Sequence, residues 1–214
     1  MFSDTQMEDT SINGLIEAFG LMSGWEITAA LMGVAYILLA AKESQWCWLF
    51  AFISTVIYTV LFWEGQLPMQ ALLNFYYMSM AVYGFWLWHQ HGTAHEPLMI
   101  SSWHWSKNLL FIVIGFIISA IVTYSLELTG QSQSPTLDAY ITVFSVLNTW
   151  LMAKKIIQNW LYWIIIDAAA VVLYVETAYY ATAVLFVINT ILAIAGFISW
   201  IKLYRQQTIA KALA

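Results

Sequence analysis

Hydrophobic residues fill long stretches of the chain, and short polar segments separate these stretches. A helix of roughly 20 apolar residues crosses a bilayer, and about 17 residues is the lower limit. We therefore predict seven membrane-spanning helices, several of them near that limit, at residues 26–41, 46–63, 68–88, 108–126, 137–153, 158–175 and 177–202. Apolar residues also recur every three or four positions in residues 12–22, which predicts a short helix on the membrane surface.

The composition agrees with a membrane location. Of the 214 residues, 62% are apolar and only 9% are charged, whereas about 25% of the residues in a soluble domain are charged. The predicted fold class is therefore an all-α integral membrane protein. The sequence contains no P-loop, HExxH or nucleophile-elbow motif. We predict that the protein is not an enzyme and that it has no cofactor, metal or nucleic-acid partner.

The positive charges predict the orientation. With seven spans, every Lys and Arg falls on one side of the membrane, namely Lys42, Lys107, Lys154, Lys155, Lys202, Arg205 and Lys211. Because Lys and Arg stay cytoplasmic, the N-terminus should lie outside and the C-terminus inside. The histidines should lie in a cytoplasmic loop at residues 89–107, where their spacing matches no rigid metal site; they are His89, His91, His95 and His104.

The first three and the last three predicted spans match when the chain is shifted by 112 residues without gaps. Glu64 then aligns with Glu176, and Trp88 aligns with Trp200. Three spans per repeat with one span between them make the repeats parallel, an arrangement common in transporters, although duplication for structural reasons alone is the alternative. The predicted 3+1+3 organisation comprises an extracytoplasmic segment, a first three-helix repeat, a loop with a linker helix, a second three-helix repeat and a cytoplasmic tail, at residues 1–24, 25–90, 91–136, 137–204 and 205–214.

Polar side chains inside the predicted spans indicate a binding site. Gln70, Asn74 and Tyr77 are spaced by four and three residues, so they share one face of a helix. A buried amide that faces lipid is costly, and this face should therefore look into protein or a water-filled cavity.

The second repeat differs from the first at its own polar positions. Asn148, Asp167 and Asn189 lie near mid-span, and the shift of 112 residues aligns them with Tyr36, Thr55 and Tyr77. A symmetric scaffold that has lost its symmetry at these positions suits a small asymmetric solute. We predict one pocket between the repeats, with the substrate-binding residues Gln70, Asn74, Tyr77, Asn148, Trp163, Asp167 and Asn189.

Asp167 indicates the charge of the solute. An ionised carboxylate inside a span needs a partner, and no span carries a Lys or Arg at that depth. Trp163 lies one turn earlier on the same face, so a carboxylate and an aromatic plane can converge on a flat cation. The alternative is that Asp167 only clamps two helices together by a hydrogen bond.

Two Gly-Phe-x-x-Trp segments end equivalent spans on the predicted cytoplasmic side. Gly84, Trp88, Gly196 and Trp200 are therefore candidate gating residues. Close helix packing is the alternative role of the glycines.

These residues resemble the PnuC-type vitamin transporters. The resemblance covers residues 26–204 and rests on the 3+1+3 pattern, on the Gln70, Asn74, Tyr77, Gly84, Trp88 pattern and on the run Asn148-x-Trp150…Lys154…Trp160-x-x-Trp163-x-x-x-Asp167. It implies a SWEET-like architecture, a homotrimer surrounded by lipid in a bacterial inner membrane, and facilitated diffusion of nicotinamide riboside with trapping by cytosolic phosphorylation. It also implies that Trp163 and Asp167 meet the pyridinium ring.

Other functions remain open at this stage. Thiamine, riboflavin or a sugar would fit the same class of carrier. An intramembrane enzyme using Asp167 would need a second acid, a metal or a nucleophile at the same depth, and the sequence offers none there. A haem- or quinone-binding subunit would want histidines within the spans.

Overall fold

The protein is described here by a computed structural model, which covers residue 20 and residues 23–66, 68–93, 98–130 and 134–213. Apart from residue 20, the surface helix predicted at residues 12–22 lies outside the described residues.

The described chain is all-α, as predicted. Its only bridge of the β type is an isolated pair between Ser101 and Ile156, and the described ranges contain no strand. The seven helices are α1 Gly24–Ala40, α2 Cys47–Glu64, α3 Pro68–Thr93, α4 Trp105–Thr129, α5 Pro135–Ala153, α6 Asn159–Glu176 and α7 Tyr180–Leu213.

Four helices are long and apolar enough to cross a membrane by length and composition, namely α2, α4, α6 and α7. Helix α1 is equally apolar but has only 17 residues. Helices α3 and α5 are long enough, but they carry amide and hydroxyl side chains that lower their mean hydropathy. The less apolar helices are thus those that contribute polar groups to the interior of the bundle.

Local sequence signals define the helix ends. Helix α1 begins with a capping box, in which the Ser23 hydroxyl accepts a hydrogen bond from the Glu26 N–H and the Glu26 carboxylate accepts one from the Ser23 N–H. Helix α4 ends at Gly130, whose φ of 62° is a left-handed conformation that glycine adopts without strain.

Two predicted boundaries need correction. Helix α3 continues to Thr93, so His89 is helical rather than in a loop, and its ring stacks on Phe85. His104 is the N-cap of α4, where its Nδ1 accepts a hydrogen bond from the Ser106 N–H. Helix α7 continues to Leu213, so the predicted tail is mostly a helical extension. Polar residues continue a helix beyond the apolar stretch because a helix does not need to end where the bilayer does.

The helices pack in two groups. Neighbouring helices contact one another within α1–α3, the first group, and within α5–α7, the second group. The groups meet where α3 packs against α5 and α1 against α7, while α4 packs against α5.

The turns of the two groups share an unusual backbone conformation. Four non-glycine residues have a positive φ, and they form two pairs with the spacing noted in the sequence: Glu43 (56°) with Lys155 (52°), and Gln66 (57°) with Ala178 (62°). Because this left-handed region is unfavourable for side chains with a Cβ, matched occurrences indicate equivalent turns.

Candidate binding cavity

A cavity of about 290 Å³ lies between the two helix groups. All three helices of each group contribute to its wall, which combines small apolar residues with polar and aromatic ones. The polar and aromatic lining residues are Tyr36, Ser54, Tyr58, Tyr77, Ser145, Trp160, Trp163, Asp167, Phe186 and Asn189.

Four of the seven predicted binding residues line this cavity. They are Tyr77 on α3, Trp163 and Asp167 on α6, and Asn189 on α7. The sequence pattern therefore identified residues from three helices that the fold brings to one site.

The other three predicted binding residues lie outside the lining. Asn148 is fully buried, and its side-chain amide donates a hydrogen bond to the backbone oxygen of Asn159 at 2.9 Å. The Asn74 amide donates to the backbone oxygen of Gln70 at 2.9 Å, one turn earlier on α3. In this conformation, these three residues bond to the bundle itself.

The electrostatic character of the cavity comes from Asp167. This residue is 5% exposed, and within the described part of the chain its carboxylate takes part in no hydrogen bond or ion pair. The lining includes no Lys, Arg or His. Trp163 presents an aromatic ring on the same face of α6, one turn away. The cavity is therefore suited to a flat cation and unsuited to an anion.

Hydrogen bonds between helices hold the wall in place. The Tyr76 hydroxyl donates to the backbone oxygen of Val146 at 2.9 Å and ties α3 to α5. Its neighbour Tyr77 bonds to Ser145, which also belongs to α5. The Ser54 hydroxyl donates to the backbone oxygen of Ala29 and joins α2 to α1. These bonds fix the rotation of α3 and thereby direct Tyr77 into the cavity.

Sequence analysis missed several lining residues. Tyr36 is the counterpart of Asn148 at the spacing of 112 residues, and it is Tyr36 rather than Asn148 that reaches the cavity. Trp160 lies three residues before Trp163, a spacing that places both on one face of α6. That spacing was a usable signal for Trp160, whereas no sequence signal distinguishes Phe186 from the other apolar residues of α7.

A layer of four tryptophans closes one end of the cavity. These residues, the tryptophan layer, are Trp48, Trp88, Trp160 and Trp200, and none is more than 4% exposed. Trp48 and Trp88 meet edge to face at 5.5 Å and 87°, and Trp160 and Trp200 do so at 5.6 Å and 82°. Trp160 also lines the cavity, so the layer forms its floor.

The candidate gating glycines allow this close packing. A Cβ atom on Gly84 would overlap the ring of Trp48, and a Cβ atom on Gly196 would overlap the ring of Trp160. Both glycines are therefore required by close approach of a ring.

The layer also connects the two helix groups by hydrogen bonds. The Trp88 indole donates to the backbone oxygen of Ala153 at 2.9 Å, and the Trp200 indole donates to that of Ala40 at 3.0 Å. Ala153 and Ala40 are the last residues of α5 and α1, so each indole satisfies a terminal carbonyl of the other group. The Ser199 hydroxyl adds a bond to the backbone oxygen of Ala41 at 2.8 Å.

Comparison with known proteins identifies the family. A family model described as nicotinamide mononucleotide transporter matches residues 23–202. The chain belongs to this family of membrane transporters. Its membership confirms the predicted PnuC-type resemblance and the prediction that the protein is a transporter rather than an enzyme. It also removes the intramembrane enzyme and the haem or quinone subunit from consideration.

Relatives within the family differ in the solute that they are named for. A nicotinamide riboside transporter, PnuC, of Escherichia coli (strain K12) is 25% identical over 218 residues, which cover 90% of this chain and 91% of the relative. The riboflavin/roseoflavin transporter RibM of Streptomyces davaonensis is 23% identical and covers 82% of this chain and 83% of its own length. A PnuC of Neisseria mucosa named for nicotinamide riboside is 22% identical, with 92% and 79% covered.

A solved structure of this family has the same fold. The crystal structure of the vitamin B3 transporter PnuC superposes with a TM-score of 0.72 at 20% identity, and the match covers 96% of this chain and 94% of the other.

Proposed function

We propose that this protein carries nicotinamide riboside across the membrane. The observation that carries the proposal is the buried Asp167 carboxylate, which faces the cavity beside Trp163 without a cationic partner among the described residues. Nicotinamide riboside combines a flat pyridinium cation with a ribose. Its ring can stack on Trp163 while its charge offsets the carboxylate, and its amide and hydroxyls can bond to Tyr77 and Asn189. The names of the Escherichia coli and Neisseria mucosa relatives support this solute.

The unphosphorylated riboside fits the cavity better than the mononucleotide of the family description. A phosphate monoester carries about −1.5 to −2 charges at neutral pH. The lining offers this dianion no Lys, Arg or His, and Asp167 would repel it. We therefore infer that the phosphate excludes the mononucleotide.

Riboflavin is the second candidate, because a relative named for it matches 82% of this chain. Its ring system is flat and can stack on Trp163, but it is uncharged and gains nothing from Asp167. The two vitamins thus differ in their expected dependence on the carboxylate.

The proposed architecture is 3+1+3, with the first and second helix groups as parallel repeats and α4 as the linker. The matched left-handed turn residues and the two tryptophan pairs with nearly equal ring geometry support it. We also propose that all seven helices span the membrane and that the architecture is SWEET-like.

The proposed mechanism is alternating access by rocking of one group against the other. The tryptophan layer closes one end of the cavity in this structure. Lys42, Lys154 and Lys155 lie in the turns at that end, and by the positive-inside rule it is cytoplasmic, with the N-terminus outside and the C-terminus inside. Opening of the layer would release the solute into the cytosol, where phosphorylation traps it, so that diffusion alone drives uptake. The proposed assembly is a homotrimer in the lipid of a bacterial inner membrane.

Calorimetric titration of the detergent-purified protein tests the solute. We expect saturable binding of nicotinamide riboside and no heat of binding with its 5′-phosphate, thiamine or riboflavin. Binding of riboflavin alone would replace the riboside by the second candidate, and binding of the 5′-phosphate would contradict the electrostatic argument.

A further inference from the structure

An ion pair joins the two helix groups beside the tryptophan layer. The Lys155 Nζ lies 3.0 Å from Glu43 Oε1, and the two side chains are only 11% and 18% exposed. Glu43 belongs to the turn after α1, and Lys155 belongs to the turn after α5. The ion pair therefore crosses from the first group to the second.

The two partners occupy equivalent positions. They are 112 residues apart, and both have the left-handed backbone conformation described above. Residues at equivalent positions contact each other directly only close to the axis that relates the two groups. An interaction on this axis lies where the groups must separate if the tryptophan layer is to open.

Lys155 is also tied to the layer and to a neighbouring segment. Its Nζ lies 4.5 Å from the centre of the Trp88 ring, within the range of a cation–π interaction. Its backbone oxygen accepts a hydrogen bond from the Ser101 N–H at 3.0 Å, and the Ile157 N–H donates to the Ser101 oxygen at 2.9 Å. These contacts hold the ammonium group in place, so little further side-chain entropy is lost when Glu43 binds it.

The adjacent lysine provides a contrast. The Lys154 Nζ lies 5.6 Å from the Tyr83 ring and 5.9 Å from the Trp150 ring, and in the described part of the chain it has no carboxylate partner. Two consecutive lysines thus have different surroundings, and only Lys155 bridges the groups by an ion pair.

We propose that the Glu43–Lys155 ion pair is a lock that holds the tryptophan-layer end of the cavity closed. This inference rests on the alternating access of the proposed function. Removal of either charge leaves the other partly buried without its partner in the closed state, whereas in the open state water hydrates it. Loss of the pair therefore shifts the population towards the open state.

Cys47 provides a native reporter of this opening. It is the single cysteine of the chain, it is fully buried, and it packs in the same core cluster as Trp48, Trp88 and Trp200. A water-soluble maleimide can reach it only when this cluster opens. The rate of labelling therefore measures the open fraction, and no solute is needed.

The test compares the labelling rates of full-length variants in detergent. We expect Glu43→Gln and Lys155→Met each to label Cys47 about tenfold faster than the original protein, the ratio that a loss of about 1.4 kcal/mol from the closed state produces. The charge-swapped double variant, Glu43→Lys with Lys155→Glu, should label more slowly than either single variant. If Glu43→Gln does not fold, Glu43→Asp carries the same test with a smaller increase.

Matched controls separate the lock from general loosening. Lys154→Met removes the neighbouring lysine, and Glu64→Gln removes an exposed acid after the α2 end of the bundle. Both should label at the original rate. Equal rates for Glu43→Gln and the original protein, or a double variant as fast as the single ones, would overturn the proposal. Because labelling needs no vitamin, this outcome is independent of which solute binds.

Discussion

The tryptophan layer and the cavity above it treat equivalent positions in opposite ways. In the layer, the pair Trp48 and Trp88 has nearly the same ring geometry as the pair Trp160 and Trp200. In the cavity, Tyr77 faces the solute from the first group where its counterpart Asn189 does so from the second. The molecule is thus close to symmetric where it closes and asymmetric where it binds.

Asp167 and its counterpart Thr55 illustrate the chemical side of this difference. The Thr55 hydroxyl donates to the backbone oxygens of Ala51 and Phe52 within its own helix. The Asp167 carboxylate, in contrast, is unpaired within the described residues and faces the cavity. A hydroxyl can satisfy itself on a helix, whereas a carboxylate needs an external donor or cation. The comparison teaches that a duplicated scaffold can acquire a site by exchanging single residues while its closing layer stays unchanged.

The largest expected effect tests the symmetry of the layer. Gly84→Ala and Gly196→Ala each insert a methyl group into an indole ring, and overpacking of this kind typically costs about 1–3 kcal/mol. We expect both variants to lower the melting temperature in detergent by several degrees and by similar amounts. Gly33→Ala is the matched control, because its nearest side-chain neighbour is Ser54 Oγ at 3.7 Å. A large effect at only one of the two glycines would contradict the equivalence of the two tryptophan pairs.

A smaller effect is expected from Asp167→Asn, which removes the charge and keeps the shape. Binding of nicotinamide riboside should weaken about tenfold, equivalent to about 1.4 kcal/mol, because the pyridinium loses its counter-charge. Calorimetry with the uncharged dihydro form of the riboside should detect a much smaller change.

The counterpart Thr55 supplies the control for this experiment. Thr55→Val has nearly the same volume, and Thr55 does not line the cavity. Its affinity for the riboside should remain unchanged. An equal loss for the charged and the uncharged riboside in Asp167→Asn would remove the proposed role of the carboxylate.

The smallest effect is expected from the polar residues that donate hydrogen bonds. Asn189→Ala removes an amide from the cavity wall, and a hydrogen bond of this kind contributes about 0.5–1.5 kcal/mol. Asn74→Ala should weaken binding less, because the Asn74 amide bonds to Gln70 outside the lining. The reverse order of the two affinities would place the solute nearer the Gln70 and Asn74 face of α3.

The sequence was sufficient for the course of the helices and for part of the site. Apolar stretches are long and are interrupted by clear polar breaks, so the predicted spans agree with α1–α7 to within a few residues at most ends. Asp167 and Trp163 were identifiable because an acid inside an apolar helix is costly, and a residue four positions away must share its face.

Helix rotation was the part that the sequence did not determine. Asn148 and Asn74 are inside helices that border the cavity, yet their amides bond to backbone oxygens. Whether a polar side chain faces a cavity or a neighbouring backbone depends on contacts between helices, such as the Tyr76 bond to Val146, that join residues far apart in sequence. The same reason hid the segment at residues 98–104, which pairs through Ser101 with the turn after α5.

The reciprocal indole bonds also have a consequence for biosynthesis. The Ala40 carbonyl at the end of the first helix waits for an indole that is 160 residues further along the chain, on the last helix. During translation, the first three helices are therefore inserted with one end of the bundle incomplete. That end is finished only after α7 leaves the ribosome, so a chain released early would expose an unfinished surface that quality control can recognise.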